Sequence, residues 1–289
     1  MKIKKRTVAL FLLPCVALFA LTYLVPIALV LLSSLTSWKA GSAMRFIGLR
    51  NYIKGFSDPS ILQALKNTGV WVALQAVVHV GIGTVAAMIL SKKRRGWKFF
   101  RTVFMIPNVI SMAALSVILL NVFRPEIGLV NSAISFFTGR PSDINFYFST
   151  QTAFPTVTLG WLLFAGLICI LMLAAIQSVS HEVLEAARID GASALQIDLR
   201  IILPLVRGSL GTSVIIAATS MLKEFEMIFL TTNGGPGSMT LNLPLYLYKT
   251  ALTENNYGYA NMMGVLLISS GVLAVFVINK LFRMDEADY

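Results

Sequence analysis

Charged residues are scarce in this sequence. Only 13% of its 289 residues are Asp, Glu, Lys or Arg, whereas 56% are hydrophobic. A water-soluble domain of this length could not bury so much apolar surface, so the composition excludes an ordinary soluble enzyme and indicates a polytopic membrane protein. The net charge is +11, and its basic residues occur in short clusters between long apolar runs. That distribution is typical of membrane topology and argues against a nucleic-acid-binding protein.

Motifs for metal or nucleotide chemistry are also missing. The two cysteines, Cys15 and Cys169, fall in apolar runs without metal-ligand spacing and are interpreted as packing residues. No H-E-x-x-H occurs, and no glycine is followed by lysine, which excludes the G-x-x-x-x-G-K-[ST] loop that holds the phosphates of ATP. We therefore expect no catalytic residue, no metal ion and no bound cofactor on this chain, and no enzymatic activity of the chain by itself.

Six apolar runs predict an all-α polytopic membrane protein in which residues 1–289 form a single transmembrane domain. The first run follows four basic residues and is longer than the apolar region of a signal peptide, so it is interpreted as a retained helix with a cytoplasmic start. This topology places 15 of the 24 Lys and Arg on the cytoplasmic side, which predicts that both termini are cytoplasmic. The predicted spans are residues 8–35, 68–90, 103–123, 153–176, 201–230 and 260–282.

The densest positive charge lies between the second and third predicted spans. Six of the eleven residues from 91 to 101 are Lys or Arg. We interpret this segment as a cytoplasmic loop that also anchors at lipid head groups.

The segment that joins the fourth and fifth predicted spans is short and polar. Apolar and charged residues from about His181 recur with the period of an amphipathic helix. Gly191 is predicted to end this helix in the left-handed conformation, and Ser193 with Gln196 is predicted to form a capping box that starts a second helix. Pro204 is expected in the first turn of the next apolar segment. The expected structure is therefore a helix, a sharp turn and a helix.

This segment resembles the EAA loop of the membrane-spanning subunits of bacterial ABC importers, whose pattern is E-A-A, two residues, D-G-A and a later leucine-proline pair. In that family the loop forms a coupling helix that inserts into a cleft on a cytoplasmic ATPase subunit, and the resemblance implies the same role here. Two positions depart from the family pattern: Asp198 replaces a common aromatic residue, and Ser180 a common proline. The alternative is an ordinary cytoplasmic loop with a helical turn. The residues assigned to the coupling loop are Glu185, Ala186, Ala187, Asp190, Gly191, Ala192, Ser193, Leu203 and Pro204.

Shorter motifs elsewhere resemble the sugar-type branch of this family. They are F-I-G-L-R-N-Y at 46–52, F-R-T-V-F-M-I-P at 100–107, G-L-V-N at 128–131, L-K-E-F-E at 222–226 and T-N-G-G-P at 232–236. The resemblance is to the first permease subunit of maltose- and glycerol-phosphate-type importers. It implies half of a translocation pathway for an oligosaccharide or related sugar in the bacterial cytoplasmic membrane. The implied partners are a second permease subunit, two ATPase subunits that carry ATP and Mg²⁺, and an extracellular solute-binding protein.

Ionisable residues inside the fifth predicted span are the least expected feature of the sequence. Such groups are costly in the bilayer unless they are paired or face water, so a functional role is the default hypothesis. Lys223 and Glu226 are three residues apart and can pair on one helix face, but Lys223 can equally extend to the external interface. The residues assigned to a candidate translocation path are Asn121, Lys223, Phe225 and Glu226.

Two other functions are compatible with parts of the sequence. A secondary transporter driven by an ion gradient could use Lys223, Glu224, Glu226 and His79 as a relay, but it would not need the EAA loop, and no convincing internal repeat is visible. A structural or assembly factor of the membrane would explain the hydrophobicity and none of the motifs. Outside the relay hypothesis, His79 is interpreted as an interhelical hydrogen-bonding residue.

Overall fold

The computed structural model describes residues 5–284. Apart from one two-stranded antiparallel hairpin, every regular element in this range is a helix, which confirms the predicted all-α class. The elements are α1 (Lys5–Phe19, a π-helical turn at Ala20–Leu24, and Val25–Ser34), β1 (Thr36–Ser37), β2 (Arg45–Phe46), α2 (Arg50–Phe56), α3 (Pro59–Ser91), α4 (Trp97–Val109), α5 (Met112–Val122), α6 (Leu129–Thr138), α7 (Ala153–Gln177), α8 (His181–Ile189), α9 (Ala194–Leu205), α10 (Arg207–Thr231), α11 (Leu243–Tyr248) and α12 (Tyr257–Phe282).

Six membrane crossings result if each bent helix pair counts as one span. Helices α1, α3, α7 and α12 are long and apolar enough to cross singly, whereas α4 and α5 are bent by 102° and α9 and α10 by 73°. Residues 103–123 and 201–230 are therefore not continuous helices. In the first pair, Pro107 weakens the helix because it lacks an N–H, and α4 ends two residues later. Ser111 then starts α5, since its Oγ accepts the Ala114 N–H at 3.3 Å.

The helices form two compact units. One contains the chain up to Ile61 together with Tyr246–Ile268, and the other contains Leu62–Leu245 together with the chain from Ser269 onward. In the first unit, the Asn51 side chain stabilises the end of α1, because its Nδ2 donates to the carbonyl oxygens of Ser34 at 2.8 Å and Thr36 at 2.9 Å. Terminal helix carbonyls have no partner within the helix, so such a cap satisfies them.

Asp58 organises three segments of the first unit. Its Oδ1 accepts the Ser60 N–H at 2.8 Å, which caps the N-terminus of α3. The helix consequently begins at Pro59, ahead of the predicted span 68–90. The Asp58 Oδ2 accepts the hydroxyl groups of Tyr246 at 2.9 Å and Tyr259 at 3.0 Å.

The core of the second unit lies where α3 packs against α7. Gly83 permits the closest approach, since a Cβ atom at this position would lie 2.7 Å from Cβ of Ile168. Trp71 is fully buried, stacks on Phe154 with ring centroids 4.9 Å apart, and donates its Nε1–H to Thr158 Oγ1 at 2.8 Å. These contacts hold the two helices together on both sides of the irregular stretches described below.

The loop after α10 contains the predicted T-N-G-G-P turn. The helix ends at Thr231, and Asn233 and Gly234 both adopt positive φ angles, of 50° and 88°. The Asn67 side chain of α3 holds the loop, because its Nδ2 donates to the carbonyl oxygens of Met239 at 2.9 Å and Leu241 at 2.8 Å. The loop is thus held to α3 by side-chain hydrogen bonds.

Candidate coupling loop and translocation cavity

Helix α8 ends in a Schellman motif at the predicted glycine. Gly191 has a φ of +80°, its N–H donates to the Arg188 carbonyl at 3.1 Å, and the Ala192 N–H donates to the Ala187 carbonyl at 3.0 Å. A left-handed residue at this point reverses the chain and satisfies the last carbonyls of the helix. Because nothing lies within 4 Å of a Cβ placed on Gly191, the requirement for glycine comes from the backbone angle.

Helix α9 starts in the predicted capping box. The Ser193 Oγ accepts the Gln196 N–H at 3.3 Å, and the Gln196 Oε1 accepts the Ser193 N–H at 2.7 Å. This pair satisfies two backbone donors at once and fixes the angle at which the chain leaves the turn. Leu203 and Pro204 lie at the far end of α9, just before the bend at Val206, so Pro204 does not open a long apolar helix as expected.

The two alanines of the E-A-A string lie on opposite sides of α8. Ala187 is buried among core residues, whereas Ala186 and Glu185 are exposed. The His181 ring and the Glu185 carboxylate are 3.4 Å apart and largely solvent-exposed, so this contact contributes little stability. Exposed apolar side chains lie on both sides of the turn, with Ile189 at 86% exposure and Leu195 at 65%. Together these residues form a surface with an acidic and an apolar part, which we call the coupling surface: Glu185, Ala186, Ile189, Asp190 and Leu195.

Asp198 fastens the second half of the loop to α3. Its side chain is 10% exposed, and its Oδ2 accepts a charge-assisted hydrogen bond from Lys92 Nζ at 2.5 Å. Lys92 follows the last residue of α3, so the ion pair links two segments 106 residues apart in sequence. A buried carboxylate needs such a partner, because desolvation without one is costly. The departure from the family's aromatic residue at this position therefore corresponds to a polar contact in place of an apolar one.

A cavity of about 260 Å³ lies among α3, α4, α7 and α10 in the second unit. Its polar lining consists of Gln75, His79, Asn108, Ser220 and Glu224, and Trp161 and Phe164 supply aromatic surface. Non-helical backbone at membrane depth is tolerated where it lines a cavity, and π-helical turns often occur at functional sites.

Four of the helices that line this cavity, α3, α4, α7 and α10, are interrupted or end beside it, whereas α5 is regular there. The π-helical turn Gln75–His79 interrupts α3, and α4 ends beside Ile110. Helix α7 is interrupted between Leu162 and Gly166, and α10 between Met221 and Glu226.

Two buried polar atoms of the cavity lining have no hydrogen-bond partner in the described part of the chain: Gln75 Oε1 and Trp161 Nε1. The residues are only 7% and 5% exposed. An unpaired acceptor and donor are costly when buried, so their retention points to a polar ligand or water in this cavity. His79 does form the predicted interhelical bond, because its Nδ1 lies 3.0 Å from the Leu162 carbonyl oxygen at the interruption of α7.

The residues assigned from sequence to the translocation path do not line this cavity. Asn121 is exposed and donates to the Val117 carbonyl of its own helix at 2.8 Å. Lys223 and Glu226 are exposed, and within residues 5–284 they form no ion pair with each other, because the interruption of α10 removes the helical spacing on which that pair depends. Glu224, between them, lines the cavity instead. Its Oε1 accepts the Met227 N–H at 3.0 Å, and its carbonyl accepts from Asn242 Nδ2.

Sequence reasoning did not select Gln75, Asn108 or Trp161. A glutamine and a histidine four residues apart within an apolar run were the available signal, since polar residues in spans commonly face the bundle interior. In residues 5–284 no group of three or more His, Cys, Asp and Glu is placed to hold a metal ion.

Comparison with known proteins supports this description. Residues 79–283 match the family model described as "Binding-protein-dependent transport system inner membrane component". The chain is 32% identical over 284 residues to the probable ABC transporter permease protein YurN of Bacillus subtilis, covering 96% of this chain and 97% of YurN. It is also 32% identical to the multiple sugar-binding transport system permease protein MsmF of Streptococcus mutans, covering 83% of this chain and 82% of MsmF.

The fold matches that of a solved importer. A chain of the bacterial alginate ABC transporter, in complex with an alginate pentasaccharide-bound periplasmic protein, superposes with a TM-score of 0.82 at 22% identity, over 96% of this chain and 94% of that one. The comparisons do not support an ion-gradient-driven secondary transporter. The chain therefore belongs to the family of inner membrane components of binding-protein-dependent transport systems, the ABC importer permeases that its EAA loop predicts.

Proposed function

We propose that this protein forms half of the translocation pathway of an ABC importer for a carbohydrate, an oligosaccharide or a related sugar. The observation that carries the proposal is the rigid helix, turn and helix of α8 and α9, which exposes the coupling surface. The names of relatives support the substrate class: MsmF is a multiple sugar-binding transport system permease, and the 29% identical NgcF of Streptomyces coelicolor belongs to a diacetylchitobiose uptake system.

The complete importer would contain this chain, a second permease, two cytoplasmic ATPase subunits that bind ATP and Mg²⁺, and an extracellular solute-binding protein. In this assembly the chain acts as one permease domain with both termini in the cytoplasm, and hydrolysis of ATP takes place on the partner subunits. The surface of α1 supports such an assembly, since none of its apolar residues from Phe11 to Leu32 is buried within the chain. Exposed apolar surface of this extent is suited to lipid and to another membrane subunit.

The loop transmits motion because it is stiff at three points. The Schellman motif, the capping box and the Lys92–Asp198 pair each restrict the angle between α8, α9 and the end of α3. ATP binding closes the ATPase dimer, and a rigid coupling surface carries this movement into the spans. The assignment of coupling to Glu185, Ala186, Ala187, Asp190, Gly191, Ala192, Ser193, Leu203 and Pro204 is part of this proposal.

We propose the cavity around Glu224 as a sugar-contacting segment of the path. Its unpaired Gln75 and Trp161 atoms, the Glu224 carboxylate and two aromatic rings match the mixture of hydrogen-bonding and stacking groups that a sugar ring requires. Lys223, Phe225, Glu226 and Asn121 remain predictions for other points of the path.

The coupling surface can be tested by co-purification in a mild detergent. Ile189 is 86% exposed, so Ile189→Glu should leave the fold intact while placing a charge in the contact with the ATPase. We expect the tagged wild type and the matched control Ile189→Val to retain a polypeptide with a P-loop, and Ile189→Glu to lose most of it. Equal recovery of the ATPase by all three forms, or its absence from all three, would contradict the proposal.

A further inference from the structure

A second, larger groove adjoins the sugar cavity, with which it shares Pro107 and Phe164, and includes no residue of the coupling loop. It has a volume of about 640 Å³ and is lined by α3, α4 and α7 of the second unit. Its lining is apolar, including Ile89, Phe100, Val103 and Leu163, except for Arg94 and Arg95. The groove is on the same side of the membrane as the coupling loop, because Lys92, two residues before Arg94, bonds to Asp198 of that loop.

The two guanidinium groups have no partner among residues 5–284. The side chains of Arg94 and Arg95 are exposed and form no hydrogen bond or ion pair in this range, in contrast to the neighbouring Lys92. The surrounding sequence offers no compensation either, since no acidic residue occurs between Asp58 and Glu126. Two guanidinium groups beside an apolar groove therefore produce a strong positive potential next to open apolar surface.

Helix α4, which forms one wall of the groove, exposes its apolar face. None of its residues is buried, and Phe99 and Phe100 are 67% and 63% exposed. The Trp97 ring lies at the start of the helix with the Arg101 guanidinium 5.8 Å from its centre. An amphipathic helix with Trp and Phe on one face and Lys and Arg at its start is typical of a segment at the boundary between head groups and acyl chains.

We propose that this groove binds an anionic phospholipid of the cytoplasmic leaflet. The acyl chain lies against Ile89, Val103 and Leu163, and the phosphate is held by Arg94 and Arg95. Arginine suits this role because its planar fork donates two parallel hydrogen bonds to one phosphate group. A ligand with an apolar tail and an anionic head complements both parts of the groove, whereas a purely apolar partner would leave two guanidinium groups without a counter-charge.

Trp97 lines the groove and provides a reporter. The full-length chain with its co-purified partners is reconstituted in phosphatidylcholine nanodiscs. The nanodiscs contain a rising fraction of one lipid with brominated acyl chains, which is either phosphatidylglycerol or phosphatidylcholine. The signal of Trp97 is the difference between the wild type and Trp97→Phe, which separates it from the other three tryptophans. We expect brominated phosphatidylglycerol to quench Trp97 at a lower fraction than brominated phosphatidylcholine, by about five-fold for each arginine.

The Arg94→Gln, Arg95→Gln double variant should remove this preference. The matched control is Lys93→Gln with Lys98→Gln, which removes the same charge from the same segment but from residues that do not line the groove, and it should retain the preference. Three outcomes would each overturn the proposal. They are equal quenching of Trp97 by both lipids, an equal loss of the preference in both double variants, and no quenching by either lipid because the second permease covers the groove. None of these outcomes depends on recovery of the ATPase, so failure here is distinguishable from failure of the proposed function.

Discussion

Asp198 is nearly buried in the coupling loop, and its charge is balanced by Lys92 at the end of α3. An aromatic residue at this position would hold the loop by apolar packing, whereas the ion pair holds it by a directed contact. Removal of one partner leaves the other charge in a poorly hydrated place, so a single substitution costs more than replacement of both. The pair is thus both a stabilising contact and a mechanical link between α3 and α9.

Lys92→Gln should destabilise the assembled importer by about 2 kcal/mol, because the buried Asp198 carboxylate loses its cation while Lys92 is itself partly exposed. The measurement is thermal unfolding in detergent, together with the number of ATP molecules hydrolysed per solute imported. The double variant Lys92→Leu, Asp198→Phe should recover most of the stability. If the loss of stability in this double variant equals the sum of the losses in Lys92→Leu and Asp198→Phe alone, the two side chains do not interact as described.

Glu224 and Glu226 make a matched pair for testing the cavity. Glu224 lines the cavity, and Glu226 is exposed two residues away. Glu224→Gln should lower solute uptake about ten-fold, since a hydrogen bond to a charged group is worth roughly 1.5–3 kcal/mol. Basal ATPase activity and assembly should be unchanged in both variants, and Glu226→Gln should keep its uptake. A larger loss of uptake in Glu226→Gln than in Glu224→Gln would contradict the role of Glu224 and favour the path residues predicted from sequence.

Interrupted helices surround the cavity of the second unit. Each interruption frees backbone groups, and several find partners from other elements: His79 bonds to the Leu162 carbonyl, and Asn242 bonds to the Glu224 carbonyl. The chain thereby keeps its backbone satisfied while aiming polar side chains into the cavity. In uninterrupted helices of the same composition, those side chains would lie along continuous helix faces.

Asp58 links the ends of three helical segments in the first unit, and its charge is part of that link. Burial raises the pKa of this carboxyl, but hydrogen bonds from Tyr246, the Ser60 N–H and Tyr259 together lower it below its ordinary value of 3.8. A depressed pKa in the folded state means that the carboxylate contributes stability above pH 3.8, and that this contribution is lost as the pH falls through the folded-state pKa.

Asp58→Asn should therefore destabilise the protein at neutral pH by about 1–2 kcal/mol and should have a smaller effect near pH 3. The asparagine keeps one side-chain oxygen that can cap α3, but its amide nitrogen cannot accept the hydrogen bonds of Tyr246 and Tyr259. The change in destabilisation between the two pH values, and not the loss at one pH, therefore reports the charge. Thermal unfolding of the purified complex at both pH values measures it, with Asp143→Asn as a control for general acid effects. A destabilisation that is the same at both pH values would show that the charge of Asp58 does not matter.

At the scale of the whole molecule, many large apolar side chains are exposed. Helix α1 has no buried residue from Phe11 to Leu32, and α4 has none. A permease subunit is completed by lipid and by other subunits, so much of its surface is meant to be covered by neighbours. The three proposed contact regions differ in chemistry: the coupling surface is acidic and apolar, α1 is apolar, and the groove beside α4 is apolar and basic.

The sequence by itself determined the features that depend on neighbouring residues. The all-α class, the crossings, the left-handed Gly191 and the capping box of Ser193 and Gln196 all follow from hydrogen bonds and apolar periodicity within a few positions. The EAA string, read at fixed spacing, also predicted the family.

Only the tertiary structure decided the rest. The partner of Asp198 lies 106 residues away, and the choice of Glu224 over Glu226 for the cavity depends on where α10 is interrupted. The interruptions themselves are stabilised by side chains of other helices, which a local pattern does not contain. Local propensity defines a helix, but packing between distant segments determines where it can be broken and which polar atoms then face the cavity.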